Sequence, residues 1–251
     1  MIYFTADTHF GSKRTLELSK RPFKDTDEMD NYIIEQFNKV LTKDDILIHL
    51  GDFGNFVAKD GTTMLSKLGA GRNVFILGNY EQKEILEKAG NPPFIFSGEN
   101  MHDLIYYIKM GKSTDDIDLY DRDRLISVVN ETESLIIDKY GFDFCVPQST
   151  TMKHMIRDTN ALFTEEEKKQ IFELKYNLTL AHKPSDCISC KFTKNEEKSF
   201  ALFGHIHGRQ MIKKFGIDVG VDCHHFRPIL LEDVKFYINA IEKFYDYDVF
   251  C

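Results

Sequence analysis

DDILIHLGDF, residues 44–53, runs through Ile46, Leu47 and Ile48 to Leu50 without polar alternation and stops on Gly51 and Asp52. A strand with one wet face alternates apolar and polar side chains. An unbroken run instead reads as a strand buried on both faces, as in a sheet with helices packed on each side. His49, inside the run, reads as a packed strand residue, and Asp52 stands at the tip.

The flanking sequence repeats the plan. Ile2–Ala6 is a short apolar strand running straight into Asp7, Thr8 and His9. From Thr26 to Leu41, apolar residues at Met29, Ile33, Ile34, Phe37, Val40 and Leu41 have helical spacing, with acidic residues in the first turn where the helix dipole favours them. Beyond the opening strand, a weaker helical segment at Thr62–Leu68 leads to a strand at Val74–Leu77 that ends on Gly78 and Asn79. Three strand, polar tip, helix units in succession predict an α/β fold with a largely parallel core.

Between residues 98 and 177 this rhythm is lost. Short elements are expected around Leu125–Val129 and Leu135–Ile137, and one firmer helix begins at Thr164, with Glu167 completing a capping box. No Gly-, Ser- or Pro-rich linker brackets the region, so it reads as an insertion or cap within a single domain of residues 1–251. The strand-and-tip pattern resumes in NLTLAHKP, KSFALFGHIHG and FGIDVGVDCHHF, and a helix is expected over Leu231–Phe244.

Composition limits what the tips can do. With 42% hydrophobic and 29% charged residues, the chain reads as a soluble globular protein. Its net charge of −8 argues against a broad basic surface for duplex nucleic acid. No segment approaches the ~20 apolar residues of a membrane span, and the first residues lack a signal-peptide pattern, so a cytoplasmic protein with no membrane partner is expected. The five cysteines read as reduced thiols. Cys187 and Cys190 form a lone CxxC, without the second pair that a structural zinc needs.

In order, the tips carry Asp7, His9, Asp52, Asn79, His182, His205 and His207. Taken singly, Asp52 and Asn79 are ordinary turn residues and His182 an ordinary satisfied histidine. Open α/β sheets, however, place ligands outside the carboxyl ends of their strands, where these tips would converge. Seven nitrogen and oxygen donors are too many for one zinc and suit two divalent ions sharing a carboxylate. Imidazole, carboxylate and amide oxygen without thiolate suit Mn²⁺, Fe²⁺, Co²⁺, Ni²⁺ or Zn²⁺ better than Ca²⁺, and Mn²⁺ is the ion expected. Such a pair suits in-line displacement at phosphorus.

The blocks DTH, GDF, GNYE, AHKP and GHIHG, in this order and on strand ends, resemble the signature blocks of the calcineurin-like metallophosphoesterase superfamily. DTHFG with RPF downstream, and VGVD near the end, resemble its small bacterial and phage members. The resemblance covers residues 2–97 and about 178–230. It implies a four-layer αββα sandwich of two mixed sheets flanked by helices. It also implies that Asp7, His9 and His207 bind one metal, that Asp52 bridges, and that Asn79, His182 and His205 bind the second, with a metal-bridging hydroxide as the attacking group.

Two departures stand out. Many members continue the third block as GNH, with the histidine as phosphate ligand and general acid; here the position is Tyr80. A phenol, with an ordinary pKa of ~10, matches neutral pH less well than an imidazole, so stable leaving groups and diesters are favoured over monoesters. His102, His154, His224 and His225 are candidate replacements. The second departure is Ser12, where relatives often carry histidine; substrate contacts are then expected from Lys13, Arg14, Arg21 and Arg227.

The expected activity is that of a phosphodiesterase or phosphatase on a small phosphorylated or nucleotide substrate, with catalytic roles for Asp52, Asn79 and Tyr80. The alternatives are a single-strand nuclease, which would need a basic groove, and a catalytically weak metal-binding scaffold. The oligomeric state is not legible in the sequence.

Overall fold

The computed structural model describes residues 1–54, 61–80, 142–146, 149–189 and 198–244, together with Ser134 and Ile137. Strand β1 (Ile2–Thr5) leads through α1 (Lys13–Leu18) and α2 (Thr26–Asn38) to β2 (Ile46–His49), then α3 (Gly61–Ser66) and β3 (Arg72–Ile76). After β4 (Phe144–Val146) and β5 (Thr150–Thr151) come α4 (Met152–Asp158) and α5 (Glu165–Phe172). The chain continues through β6 (Asn177–Leu180), α6 (Pro184–Ser189), β7 (Ser199–Phe203), β8 (Ile212–Lys213), β9 (Gly216–Asp218), β10 (Ile229–Leu230) and α7 (Leu231–Phe244).

Among the described residues two mixed five-stranded sheets result, ordered β10-β1-β2-β3-β4 and β5-β6-β7-β9-β8. β1 to β4 are mutually parallel with β10 antiparallel at the edge, and β6, β7 and β9 are parallel between antiparallel β5 and β8. The period of two sorts each strand into two cores. Ile2, Phe4, Ile46, Ile48, Val74 and Ile76 face Leu178, Leu180, Phe200 and Leu202 of the second sheet. On the opposite face, Tyr3, Leu47 and Phe75 pack against Met29, Ile33 and Phe37 of α2. Cys187 of α6 packs with Ala201 and Phe203 on the outside of the second sheet. The layers are therefore helix, sheet, sheet, helix, and the unbroken apolar run of β2 is buried on both sides as its composition requires.

The local signals operate as written in the chain. Asp25 caps α2 by accepting from the backbone N–H of Glu28 at 2.9 Å, and Thr164 and Glu167 form the reciprocal capping box of α5. α2 ends at Asn38, three residues short of the apolar pattern; Val40 and Leu41 leave the helix in a turn, although Leu41 remains buried.

The insertion needs a correction. Within residues 98–177, β4 pairs with β3 and β5 with β6, while Met152, Met155, Ile156, Phe163 and Ile171 belong to the inter-sheet core. The described residues from Phe142 to Ile171 are thus part of the sandwich. Three- and two-residue strands carry too little periodicity to announce themselves. The expected Leu125–Val129 element and most of the remaining segment lie outside the described residues. Among those described, no helix is long and apolar enough to cross a membrane.

Candidate metal centre

Within each sheet, neighbouring tips are tied by backbone hydrogen bonds. The segment after β1 runs beside that after β2, with Asp7 N–H donating to Gly51 O (3.1 Å), His9 N–H to Asp52 O (3.0 Å) and Phe10 N–H to Phe53 O (2.9 Å). In the second sheet, Gly204 N–H donates to His182 O at 2.9 Å. The sheets are joined where Val221 N–H donates to Ala6 O at 3.1 Å and at the Asp7 carboxylate, whose Oδ2 accepts from His205 N–H at 2.8 Å.

Two glycines make this approach possible. A Cβ on Gly204 would lie 2.5 Å from Asp7 Oδ2, and one on Gly51 2.5 Å from Gly78 Cα and 2.8 Å from His182 Nδ1. Five of the seven tip residues hold left-handed backbone conformations: Asp7, His9, Asp52, His205 and His207, with φ between 48 and 74°. Such conformations cost roughly 1–3 kcal/mol each outside glycine and persist where the surroundings over-determine them.

All seven expected ligands are brought together. Ligand atoms of Asp7, His9 and His207 lie within 4.8 Å of one another, as do those of Asp7, Asp52 and His182. Asp52 Oδ2 lies 3.5 Å from His9 Nε2 and 3.4 Å from His182 Nε2, between the two halves. On the far side, His182 Nε2 and His205 Nδ1 converge on Asn79 Oδ1 at 2.8 and 2.7 Å.

The site fits divalent cations. Asp7 and Asp52 are buried, and Asp7 Oδ1 and His9 Nε2 have no hydrogen-bond partner although both are inaccessible to solvent. Burial pushes Asp7 up to about 7 and His9 down to about 3. Burial also opposes the charged forms of Asp52 and His182, yet their mutual attraction wins, holding Asp52 below the usual carboxylate range and His182 up at about 10. Stranded carboxylate oxygen, and imidazole driven to keep a proton, are what a pocket shaped around positive charge presents.

His182 Nδ1 lies 2.8 Å from Leu50 O and His207 Nδ1 2.9 Å from Asp222 Oδ2, which leaves the Nε2 of each for a metal. His49 is the packed strand residue expected, bonded to Thr8 Oγ1 at 3.0 Å and stacked on Phe75.

The expected substrate contacts divide. Tyr80 stands beside the centre, its ring 5.0 Å from that of His9 and edge-on to it, and Arg14 Nη1 donates to its hydroxyl at 2.6 Å. Lys13 is exposed on α1 with Glu17 at 3.8 Å, and Arg227 is exposed before β10. Arg21 is not at the surface: its side chain is fully buried, and it donates to Asp222, Thr8 O, Asp7 O and Met29 Sδ. The expectation that it meets phosphate is corrected, because a cation twelve residues past His9 in a polar loop gives no sequence sign of burial. Ser12 caps α1, accepting from Thr15 N–H at 3.2 Å.

Of the candidate replacement acids, His154 pairs with Thr151 at the start of α4 and His224 is buried against Asp218 O. Sequence reasoning missed three acids that hold the loops. Asp30 accepts from Gly11 N–H, Asp218 from Gly220 N–H, and Asp222 from His207. VGVD was the one visible sign of the last. Cys190 lies outside the described residues, so the CxxC is not seen whole.

The family described as calcineurin-like phosphoesterase matches residues 1–209. An uncharacterized protein of Methanocaldococcus jannaschii is 35% identical over 83 residues, which are 32% of this chain and 47% of that protein. The chain thus spans about half the length of that curated relative. A protein of unknown function from Aquifex aeolicus shares the fold, with a TM-score of 0.53 at 18% identity over 94% of this chain and 98% of that one.

Proposed function

Because the chain belongs to the calcineurin-like phosphoesterase family, we propose that this metal-dependent phosphoesterase holds two divalent ions, Mn²⁺ preferred, and hydrolyses a diester of a small phosphorylated or nucleotide substrate. The observation that carries the reading is the pair of triads, Asp7–His9–His207 and Asp7–Asp52–His182, meeting where the two sheets join. Bound there, the ions would neutralise phosphate charge and make water acidic enough to attack phosphorus at neutral pH.

The protein's own groups do the rest. Asp52, between His9 and His182, spans both halves, and its Oδ1 accepts from Tyr80 N–H at 3.1 Å, so the carboxylate also places the tyrosine. Tyr80 receives a hydrogen bond from Arg14, which frees its own O–H to donate to a phosphate or leaving-group oxygen. A phenol in place of the family's usual histidine is the weaker general acid, a loss that handicaps stable leaving groups least, which supports the diester preference.

The test is hydrolysis of an aryl phosphodiester by metal-stripped protein. Mn²⁺ is expected to restore it and Asp52→Asn to abolish it; full activity in that variant rules the mechanism out.

A further inference from the structure

Arg21 carries five N–H groups in a planar fork, and all five are engaged. Nε and Nη2 hold the two oxygens of Asp222 at 2.9 Å each; Nη2 also reaches Asp7 O at 2.6 Å. Nη1 reaches Thr8 O at 2.9 Å and Met29 Sδ at 3.4 Å. The Phe226 ring covers the guanidinium at 5.8 Å. Asp222 Oδ2, one of the two oxygens so held, also accepts from His207 Nδ1 at 2.9 Å. One guanidinium therefore fixes the backbone carrying Asp7 and, through one carboxylate, the imidazole of His207. Neither Asn79, His182 nor His205 is bonded to Arg21 or Asp222 in the contacts described.

We infer that Arg21 and Asp222 are positioning residues for one ion of the pair, the one held by Asp7, His9 and His207, and that their loss weakens this ion more than the other, to which only the shared Asp7 connects them. The inference rests on the two-ion reading above. A buried arginine is tolerated only when fully paired, and this one is paired to Asp222, which bonds His207 of the first triad, and to the main chain of Asp7, which the two triads share. The carboxylate engages His207 Nδ1 and so leaves Nε2 for the ion beside Asp7 and His9. The two carbonyl contacts hold the left-handed backbone at Asp7, where φ is 57°. Lysine cannot replace this fork, because a single ammonium does not span a carboxylate and two carbonyls at once.

The experiment is calorimetric titration of Mn²⁺ into the metal-stripped chain, with bound ions counted by equilibrium dialysis, for wild type, Asp222→Asn and Arg21→Lys. Loss of an outer partner of a ligating histidine typically weakens metal binding about 10–100-fold. In the variants one of the two dissociation constants should rise by that factor while the other rises markedly less. A merely structural role would lower the thermal midpoint of the metal-free chain and move both constants together. If Asp222→Asn fails to fold, Arg21→Lys, which keeps the buried charge, carries the same comparison. Wild type binding a single ion ends the two-ion reading and this inference with it. Two ions in wild type, with both constants shifted equally or neither shifted in a folded variant, overturn this inference alone.

Discussion

Gly51 shows how tightly single residues are specified around the centre. Its φ is +89°, and a methyl group there would press on Gly78 and on His182 Nδ1. Gly51→Ala should lower stability by at least ~1–3 kcal/mol, the usual range for a strained backbone position, and reduce Mn²⁺ uptake, read by chemical unfolding and metal analysis. Tyr80 and Arg14 make the other residue-scale prediction. If the phenol donates only because Arg14 donates to it, Tyr80→Phe and Arg14→Ala should each slow hydrolysis of esters with poor leaving groups by up to about 10²-fold and scarcely affect aryl diesters. The double variant should then be no slower than either single one, measured as kcat/KM across a leaving-group series. Strictly additive losses would show that the two side chains act independently.

At the scale of elements, burial outweighs propensity. α2 carries its acidic first turn and its Asp25 cap in plain view, but what anchors it is Met29, Ile33 and Phe37 against the outer face of the first sheet. Asp25→Ala should cost about 1 kcal/mol and Ile33→Ala about 2–5 kcal/mol in urea unfolding. The larger loss should reach the metal centre as well, because Asp30 on the same helix holds Gly11 N–H beside the ligand loop. The long, strongly patterned elements were legible: β1, β2, β3, β6, β7, α2, α5 and α7. Strands β4 and β5 were not, since three residues and two residues cannot display a period, and only pairing with β3 and β6 defines them.

For the whole molecule, charge gives two predictions. Arg72 on β3 holds Glu167 on α5 in a fork, at 2.7 and 2.9 Å, tying the first sheet to the helix over its end. Burial opposes the charged carboxylate, but the hydrogen bonds from Arg72 and Thr164 win and hold Glu167 down at about 2. A folded-state value below the unfolded one contributes stability that is present above the ordinary glutamate range and lost as pH falls from there toward about 2. Glu167→Gln should therefore lower the thermal midpoint at neutral pH and flatten its decline in acid. The net charge of −8 supports a small substrate over a polymer. Hydrolysis of a small diester should vary little with salt, and a steep loss of single-strand cleavage with rising salt would instead favour the nuclease alternative.

The sequence by itself determined the parallel core and the seven polar residues at the strand tips that the structure brings together. Those facts are written locally, in apolar runs and in the polar residues that end them. Only the tertiary structure decided what supports the ligands. Arg21 and Asp222 are 201 positions apart, and neither alone shows in the sequence that it is held against the other. Their meaning exists only once the sheets meet, when burial leaves a guanidinium no water to bind and directs its five donors to one carboxylate, two carbonyls and a thioether.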